Sequence, residues 1–388
     1  MTMTSRERVQ TVLEHKIPDR VPIILGPSNT TGIRTVAYRR LRKLLGIQAE
    51  ERCLYDYPEL GTALIDEGTL ERLHSDVRGV RDRFPPDVYE RNENRDPGSP
   101  YLNDWGCEHK EVEPGAYFQV EHPLAEAKSI DDIETYPHWP DMDDPSRVAH
   151  VKVWGQRLAD ENQYAIIGYP WLLSIFERAM AMQGMDKFLM NMSLNPELAQ
   201  ALLEKIAGLC KTLMGHFLDE LGDNVDIVGI GDDLGTQESL LISPKMYRSI
   251  LKPIHADYIA FIKEHTNAKV FFHADGDVFN LVDDFIEIGV DILNPIQTSA
   301  GKMSNLAGLK KRYGENIVFC GAIDTQRVLP SGTPEQVREE VRRVIEVMAP
   351  GGGYMLAAVH TVTDDVPPDN ILAMVDAAVE FGQYPLRS

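Results

Sequence analysis

Short apolar segments alternate with helical ones from Tyr164 to the end of the chain, and this alternation limits the possible folds more than any other feature. The predicted strands in this part of the chain are residues 165–169, 225–230, 269–273, 290–293, 317–320 and 354–359. Strands that are short, continuously apolar and separated by helices indicate a parallel sheet covered by helices. Two earlier segments, residues 21–25 and 77–80, bring the number of predicted strands to eight. The sequence therefore predicts an α/β fold, a single (β/α)8 TIM barrel.

The predicted helices fill the intervals between these strands. They span residues 5–15, 35–45, 67–73, 146–158, 186–221, 244–265, 278–288, 305–313, 334–348 and 368–381. Ser243 and Thr333 each precede a proline, which places a capping side chain before a proline at the first helical position. Residues 81–123 are rich in turn-forming residues, so we expect an inserted hairpin-rich region there rather than a second domain. The chain, 1–388, is thus expected to form one barrel domain with an N-terminal helix.

Net charge excludes two classes of partner. The formal net charge is −21 at pH 7, whereas nucleic acids and anionic membrane surfaces are bound by basic faces. No apolar stretch approaches the roughly 18–20 residues that cross a bilayer. The N-terminal segment is polar and lacks the apolar core of a signal peptide. We therefore expect no nucleic-acid partner, no membrane association and a cytoplasmic location.

Side chains that bind metals or transfer protons stand at the ends of four predicted strands. These residues are His273 with Asp275, Cys320, His360, and Asp232 with Asp233. Active sites of α/β barrels lie at the carboxyl ends of the strands, so these side chains are expected to meet at one mouth. Because zinc accepts nitrogen, oxygen and sulfur ligands, the sequence favours metal-assisted chemistry. The expected metal ligands are His273, Asp275, Cys320 and His360, and the expected proton-transfer residues are Asp233 and His360.

Each of these residues also has an interpretation that involves no metal. His273 could instead cap the following helix, with Asp275 or Asp277 as its N-cap. Cys320 could be a small buried hydrophobe, and His360 a loop histidine that is hydrogen-bonded to the backbone. One carboxylate of the pair 232–233 could cap the following turn, while the other could be a general acid or base, or a ligand.

Further side chains at the strand ends are expected to bind the substrate. Amides and carboxylates in such positions orient polar groups, and an aromatic residue can form a pocket wall, although it could equally belong to the core. The predicted substrate-binding residues are Tyr169, Asp232, Gln237, Asn294, Gln297 and Asp324.

Several motifs, spread over the whole chain, resemble those of the uroporphyrinogen decarboxylase superfamily. They are RERVQ at residues 6–10 with IPDRVPI at 17–23, DDLGTQ at 232–237, HADGDV at 273–278, GVDILNPIQ at 289–297 and GAIDTQ at 321–326. The resemblance implies a (β/α)8 barrel with its site at the C-terminal mouth. It is specific for the superfamily and less so for the reaction, because the superfamily includes cobalamin-dependent methyltransferases as well as decarboxylases.

The decarboxylase branch is expected to bind an acidic tetrapyrrole without a cofactor. The resemblance implies that it does so with arginines, notably in an N-terminal Arg-Gln-Ala-Gly-Arg segment. The matching residues 25–33 read LGPSNTTGI and lack both arginines. A pocket without those cations, in a chain of charge −21, would bind a polyanion poorly. The sequence therefore argues against tetrapyrrole decarboxylation.

The methyltransferase branch implies a zinc site built from a His-x-Cys pair and a later cysteine. His273 matches the histidine, Asp275 stands where the cysteine usually is, and His360 falls near the later cysteine. Carboxylate and imidazole ligands make a harder and more Lewis-acidic site than thiolates do. Such a site favours polarising an oxygen or nitrogen in a methyl donor over activating a thiol acceptor.

These features together predict a zinc-dependent methyltransferase. We expect it to move a methyl group between a small O- or N-methylated compound and a corrinoid (cobalamin), carried by a partner corrinoid protein, with the demethylating direction favoured. Two alternatives stay open: a decarboxylase-like lyase that acts on a small carboxylic acid, and a non-catalytic binding protein. Formation of a homodimer is also left open.

Overall fold

The computed structural model describes residues 3–48, 52, 61–93, 99–113, 116–170 and 174–386. The strands among these residues are β1 Val77–Val80, β2 Tyr101–Leu102, β3 Glu108–Glu113, β4 Ala116–Gln119, β5 Ala165–Gly168, β6 Ile227–Gly231, β7 Lys269–His273, β8 Ile292–Ile296, β9 Val318–Ile323 and β10 Tyr354–Ala358. Seven of them form one parallel sheet in the order β1-β5-β6-β7-β8-β9-β10. Neighbouring strands along this sheet are also successive in the chain once β2, β3 and β4 are set aside, as in a TIM barrel.

Residues 21–25 occupy the eighth position of the barrel. Ile23 forms a parallel bridge with Leu356 in β10, and its carbonyl accepts a hydrogen bond from Asp76 N, just before β1. The segment therefore lies between the last and first strands of the sheet and closes the barrel. It forms an isolated bridge rather than the full strand that the sequence predicts. Pro22 accounts for part of this, because a proline cannot donate a hydrogen bond to a ladder. The predicted α/β barrel fold is confirmed.

Helices connect the strands and cover the sheet. They are α1 Ser5–Leu13, α2 Thr35–Leu45, α3 Glu67–Arg72, α4 Pro86–Glu93, α5 Ile130–Glu134, α6 Val151–Glu161, α7 Phe176–Gln183, α8 Met185–Leu194, α9 Pro196–Leu221, α10 Pro244–Met246, α11 Lys252–His265, α12 Val282–Glu287, α13 Leu306–Tyr313, α14 Val328–Ser331, α15 Pro334–Met348 and α16 Pro368–Phe381. A π-helical turn, Tyr247–Leu251, joins α10 to α11. No helix of the described residues is both long enough and apolar enough to cross a membrane.

The helix ends follow the predicted caps with one clear exception. Ser243 and Thr333 each accept a hydrogen bond from a backbone N–H three residues further on, as expected for N-caps. The single helix predicted over residues 186–221 is wrong, because the structure has two helices, α8 and α9, that meet at Asn195. Pro196 begins α9, and a proline disfavours helical geometry in the residue before it.

The segment predicted to be rich in hairpins contains a small antiparallel sheet. Its strands follow the order β2-β3-β4. Gln119, at the end of β4, donates a hydrogen bond of 2.6 Å from Nε2 to the carbonyl of Ala181 in α7. The small sheet therefore packs beside α7. Parts of the predicted insertion, residues 94–98 and 114–115, lie outside the described residues.

The barrel is filled by apolar side chains from its strands and closed at one end by α1. Val9, Val12 and Leu13 of α1 belong to the same buried cluster as the inward side chains of the strands. Arg6 N donates to the carbonyl of Gln163, just before β5. Helix α1 thus covers the end where the strands begin. The opposite end, where the strands finish, is left for a site.

Candidate functional site

A cavity of about 390 Å³ opens where the strands of the barrel end. Residues at or after four strand ends line it: Tyr169 after β5, Gly231 and Asp233 at and after β6, His273 at the end of β7 and His360 after β10. The N-terminal part of α7 and the small antiparallel sheet form the outer wall, through Glu177, Arg178, His109 and Gln119. The strand ends therefore converge on one cavity, as the sequence predicts.

His273, Asp275 and His360 form a cluster that could hold a metal ion. One ligand atom from each of the three lies within 4.8 Å of the others. Oδ2 of Asp275 is 3.9 Å from Nε2 of His273 and 3.9 Å from Nε2 of His360. The donors are two nitrogens and one oxygen, which is a ligand set that zinc accepts. Three of the four predicted ligands are thus brought together.

The hydrogen bonds of His273 direct one ring nitrogen toward this cluster. Its Nδ1 lies 2.7 Å from Oδ1 of Asn294. Nδ2 of Asn294 donates to the carbonyl of Cys320 at 3.3 Å, so the amide oxygen faces the histidine. An amide oxygen can only accept, hence Nδ1 carries the proton and Nε2 keeps its lone pair. The predicted substrate-binding residue Asn294 is fully buried and orients a ligand rather than lining the cavity.

The carboxylate of Asp275 supports the interpretation as a cation site. Its Oδ1 is buried and forms no hydrogen bond with the described residues. A buried carboxylate oxygen without a partner is unfavourable, and a divalent cation would compensate it. Gly276 allows the turn that follows, since its φ is +87° and a Cβ there would lie 2.3 Å from the carbonyl carbon of Gly235. The residues present therefore fit a bound metal ion.

Asp233 and His360 complete the polar end of the cavity. Oδ1 of Asp233 accepts a hydrogen bond of 2.8 Å from Asp275 N and lies 3.9 Å from Nε2 of His273. Burial raises the pKa of Asp233, so protonation near neutral pH becomes easier. Partial burial, together with the neighbouring His273, lowers the pKa of His360 to about 4. His360 is therefore neutral at pH 7, which is the form that binds a metal.

Cys320 does not belong to the cluster, contrary to the prediction from the sequence. Its side chain is fully buried and packs in the barrel interior with the inward residues of the other strands. Burial raises the pKa of its thiol to about 12, and the thiol is the inert form. The sequence predicts that this strand ends at Cys320, but β9 continues to Ile323, so Cys320 lies in the middle of the strand with its side chain inside the barrel.

Asp232 has a structural role instead of the predicted contact with substrate. It is 1% exposed, and Oδ2 accepts hydrogen bonds from Nε2 of His255 at 2.8 Å and from Ile175 N at 3.0 Å. Oδ1 accepts from Glu177 N at 3.0 Å. These bonds hold the beginning of α7 against β6. Asp232 is therefore a positioning residue for the first turn of α7.

Three other predicted substrate-binding residues lie in the loops around the mouth and do not line the cavity. Gln297 accepts a hydrogen bond of 2.7 Å from Gly276 N. Asp324 accepts from the backbone N–H of Gln326 at 2.9 Å, which closes its own turn. Gln237 is exposed, and the cavity lining includes none of the three. Tyr169 does line the cavity, as predicted, and is 8% exposed.

Glu177 and Arg178 are lining residues that the sequence did not reveal. Both lie in the first turn of α7. Burial, followed by the nearby carboxylates of Asp233 and Asp232, holds the pKa of Glu177 well above its usual range. Glu177 and Asp233 are thus two carboxyl groups that repel each other's charge, so a proton between them is retained. The sequence does contain one signal that could have identified them, namely two adjacent charged residues within the otherwise apolar segment FERAMAM.

Comparison with known proteins finds a family model and relatives that are similar to this chain. The family model described as uroporphyrinogen decarboxylase (URO-D) matches residues 104–381. A uroporphyrinogen decarboxylase from Pseudoalteromonas translucida (strain TAC 125) is 24% identical over 288 residues, which cover 69% of this chain and 74% of that protein. One from Methylococcus capsulatus is 25% identical over 241 residues, which cover 60% of this chain and 63% of that protein. The matched part is less than two thirds of the second relative's length.

A solved structure has the same fold over nearly its whole length. It is a methyltransferase from Methanosarcina mazei, with a TM-score of 0.65 and 18% sequence identity. The alignment covers 98% of this chain and 99% of that one. At this identity the likeness establishes the fold alone.

Proposed function

We propose that this chain, which belongs to the uroporphyrinogen decarboxylase family, is a methyltransferase with a zinc site at the mouth of its barrel. Its substrate is a small O- or N-methylated compound, and the methyl acceptor is a corrinoid carried by a partner protein. The favoured direction is demethylation of the small compound. The corrinoid belongs to the partner, so no residue of this chain is assigned to hold it.

The observation that carries this proposal is the cluster of His273, Asp275 and His360. Its donors converge within 4.8 Å, and the buried Oδ1 of Asp275 has no hydrogen-bond partner among the described residues. When bound there, zinc supplies a Lewis acid that polarises the oxygen or nitrogen carrying the methyl group. A methyltransferase of the same fold, from Methanosarcina mazei, is consistent with this reaction class.

The residues of the cavity provide the proton that the leaving heteroatom needs. Glu177 and Asp233 lie on the cavity wall, and burial raises the pKa of both carboxyl groups. Burial and mutual repulsion thus favour a proton shared by the pair, and that proton can be donated to the oxygen or nitrogen that loses its methyl group. His273 is held in one orientation by Asn294, at 2.7 Å, and keeps the substrate end of the cavity rigid.

Size and charge argue against a tetrapyrrole. The cavity, at about 390 Å³, is near the lower end of the roughly 300–1,000 Å³ of small-molecule pockets. Among the described lining residues, Arg178 is the sole arginine or lysine. A substrate with several carboxylates would meet one cation and the acids Glu177 and Asp233. These observations favour a small substrate.

A decarboxylase-like lyase is the second candidate, because the curated relatives of this chain carry that name. It would release carbon dioxide from a small acid and would not depend on a metal. Metal content therefore separates the two candidates. Methyl transfer predicts about one zinc per chain, as expected for a site with three protein ligands and an open position.

The direct test supplies reduced cobalamin, cob(I)alamin, and a panel of methyl ethers and methylated amines. Methylation of the cobalt is followed by its change in absorbance. Formation of methylcobalamin from at least one donor, dependent on the enzyme and on zinc, is the expected result. Absence of methylation from every donor, together with carbon dioxide release from a small acid, would transfer the assignment to the lyase.

Replacing Asp275 with cysteine tests the choice of ligand. The Asp275→Cys variant should keep zinc, because a thiolate is at least as good a ligand, but a thiolate makes the site less Lewis-acidic. We expect demethylation to slow by roughly tenfold, or about 1.4 kcal/mol of barrier. Asp275→Asn is the matched control and should lose zinc, because it removes the negative charge and keeps the shape. Unchanged rates in Asp275→Cys would refute the argument for a hard site.

A further inference from the structure

Arg178 is a buried cation on the outer wall of the cavity. It is 8% exposed, and its guanidinium carbon lies 5.0 Å from the centre of the Trp105 ring. Within the described part of the chain the guanidinium forms no hydrogen bond and no ion pair, and Nε is buried without a partner. A buried charge without a counter-charge is unfavourable unless a ligand supplies one.

The acid next to it in the chain does not supply that counter-charge. Glu177 shares the first turn of α7 with Arg178, but burial holds the pKa of Glu177 well above its usual range. This shift favours the neutral carboxyl group, and among the described residues Glu177 forms no hydrogen bond or ion pair with the guanidinium of Arg178. Asp233, the other carboxylate that lines the cavity, contacts the His273 end, at 3.9 Å from Nε2.

His109 adds a second unsatisfied polar atom to the same wall. The residue lies in β3 and lines the cavity. Its Nδ1 is buried and has no hydrogen-bond partner among the described residues. Buried polar groups in proteins are almost always hydrogen-bonded, so an exception needs an explanation. Both residues line the same cavity, and a ligand bound there would account for two polar side chains that keep unsatisfied atoms.

We propose that Arg178 and His109 bind a carboxylate group of the substrate. The inference rests on the proposed function and narrows it, because it makes the methyl donor a small monocarboxylate rather than a neutral methylated compound. The guanidinium of Arg178 matches a carboxylate with two parallel hydrogen bonds. Arg178 is the one arginine or lysine among the described lining residues, and one cation suits a single negative charge better than the double charge of a phosphate. The methylated oxygen or nitrogen then lies at the end of the cavity formed by His273 and His360.

The test compares carboxylates with neutral amides of the same shape. The probes are 4-methoxybenzoate against 4-methoxybenzamide, and N,N-dimethylglycine against its amide, with binding measured by calorimetry at pH 7. Hydrogen bonds to charged groups contribute about 1.5–3 kcal/mol, so each carboxylate that fits should bind about 10- to 100-fold more tightly than its amide. In Arg178→Met this preference should disappear while the affinity for the amide stays, and Arg178→Lys should keep part of it.

Arg157→Met is the matched control, because that side chain is 79% exposed, on α6 and away from the cavity. It should leave both affinities unchanged. Without ligand, Arg178→Met should melt no lower than the natural protein, since it removes an uncompensated buried charge. A lower melting temperature with an unchanged carboxylate preference would assign Arg178 a structural role and overturn the proposal.

The carboxylate site and the methyltransferase function can be refuted separately. Binding of these probes requires no corrinoid, so an absence of methyl transfer leaves the carboxylate site standing if the preference is seen. Equal affinities for acids and amides across the panel would overturn the carboxylate site without affecting methyl transfer. Methyl phosphate and acetate can also be compared as competitors of the bound carboxylate probe. If methyl phosphate displaces the probe more strongly than acetate does, the ligand of Arg178 is a phosphate and not a carboxylate.

Discussion

Replacement of His273 with alanine is expected to remove most of the bound zinc and to slow methyl transfer by more than a hundredfold. Two protein ligands would remain in a cluster that has three, His273, Asp275 and His360. Loss of a residue that only orients a ligand already lowers metal affinity or activity by about 10- to 100-fold. Loss of the ligand itself should therefore have a larger effect. Zinc is measured by elemental analysis after dialysis, and the rate by methylation of cob(I)alamin.

Two control variants make this result specific. Cys320→Ala should keep its zinc, because Cys320 packs in the barrel interior, outside the cluster. Asn294→Ala should lose part of its zinc, since Oδ1 of Asn294 holds His273 through the hydrogen bond of 2.7 Å. Full zinc retention in His273→Ala would remove this residue from the site. Zinc loss in Cys320→Ala would return the cysteine to the ligand set.

The fold could be predicted from the sequence because its signals are local. The apolar run that ends at His273 has the predicted bounds, Lys269–His273. Helix α15 begins at Pro334, after the predicted cap Thr333. Residues 21–25 were harder, because their pairing depends on Leu356 and Asp76, which are remote in the chain. The local sequence pattern identifies an extended segment, but it does not determine how many hydrogen bonds that segment forms with the neighbouring strands.

The site could be predicted only in part, because a side chain's role depends on its remote partners. His273, Asp275 and His360 do converge, since strand ends of a barrel share one mouth. Asp232 and Asp233 are neighbours in sequence, yet Asp232 is bound by His255 and Ile175 while Asp233 faces the cavity. No feature of the sequence distinguishes these two carboxylates.

Arg178 and Glu177 are cavity residues that the sequence prediction missed, because neither of them follows the end of a predicted strand. They reach the cavity because Asp232 fixes the beginning of α7 through the backbone N–H groups of Ile175 and Glu177. Their placement thus depends on a hydrogen-bond network between elements that are more than fifty residues apart in the chain. A charged pair at the start of a buried helix is nevertheless a usable signal, because buried charges have a partner or a function.

Asp76→Asn is expected to lower the free energy of unfolding by about 3–5 kcal/mol, the usual result of breaking a buried ion pair. Asp76 is fully buried and accepts hydrogen bonds from Arg8 at 2.7 Å and from Arg20 at 2.8 and 2.9 Å. Asparagine keeps the shape but leaves the Arg20 guanidinium, which has no other carboxylate partner among the described residues, without a counter-charge. The measurement is urea denaturation followed by tryptophan fluorescence.

The position of Asp76 explains why this effect should be large. Its Oδ2 accepts a hydrogen bond of 2.7 Å from Ile23 N, and its own N–H donates to the carbonyl of Ile23. On the side of β10, residues 21–25 have one isolated bridge, to Leu356. On the side of β1, Asp76 therefore holds the seam, which is the contact between residues 21–25 and β1 at which the barrel closes. Glu339→Gln, which breaks an exposed pair with Arg342 on α15, should cause no measurable change. Equal losses in the two variants, or a loss below about 1 kcal/mol in Asp76→Asn, would mean that the seam is held by its apolar contacts instead.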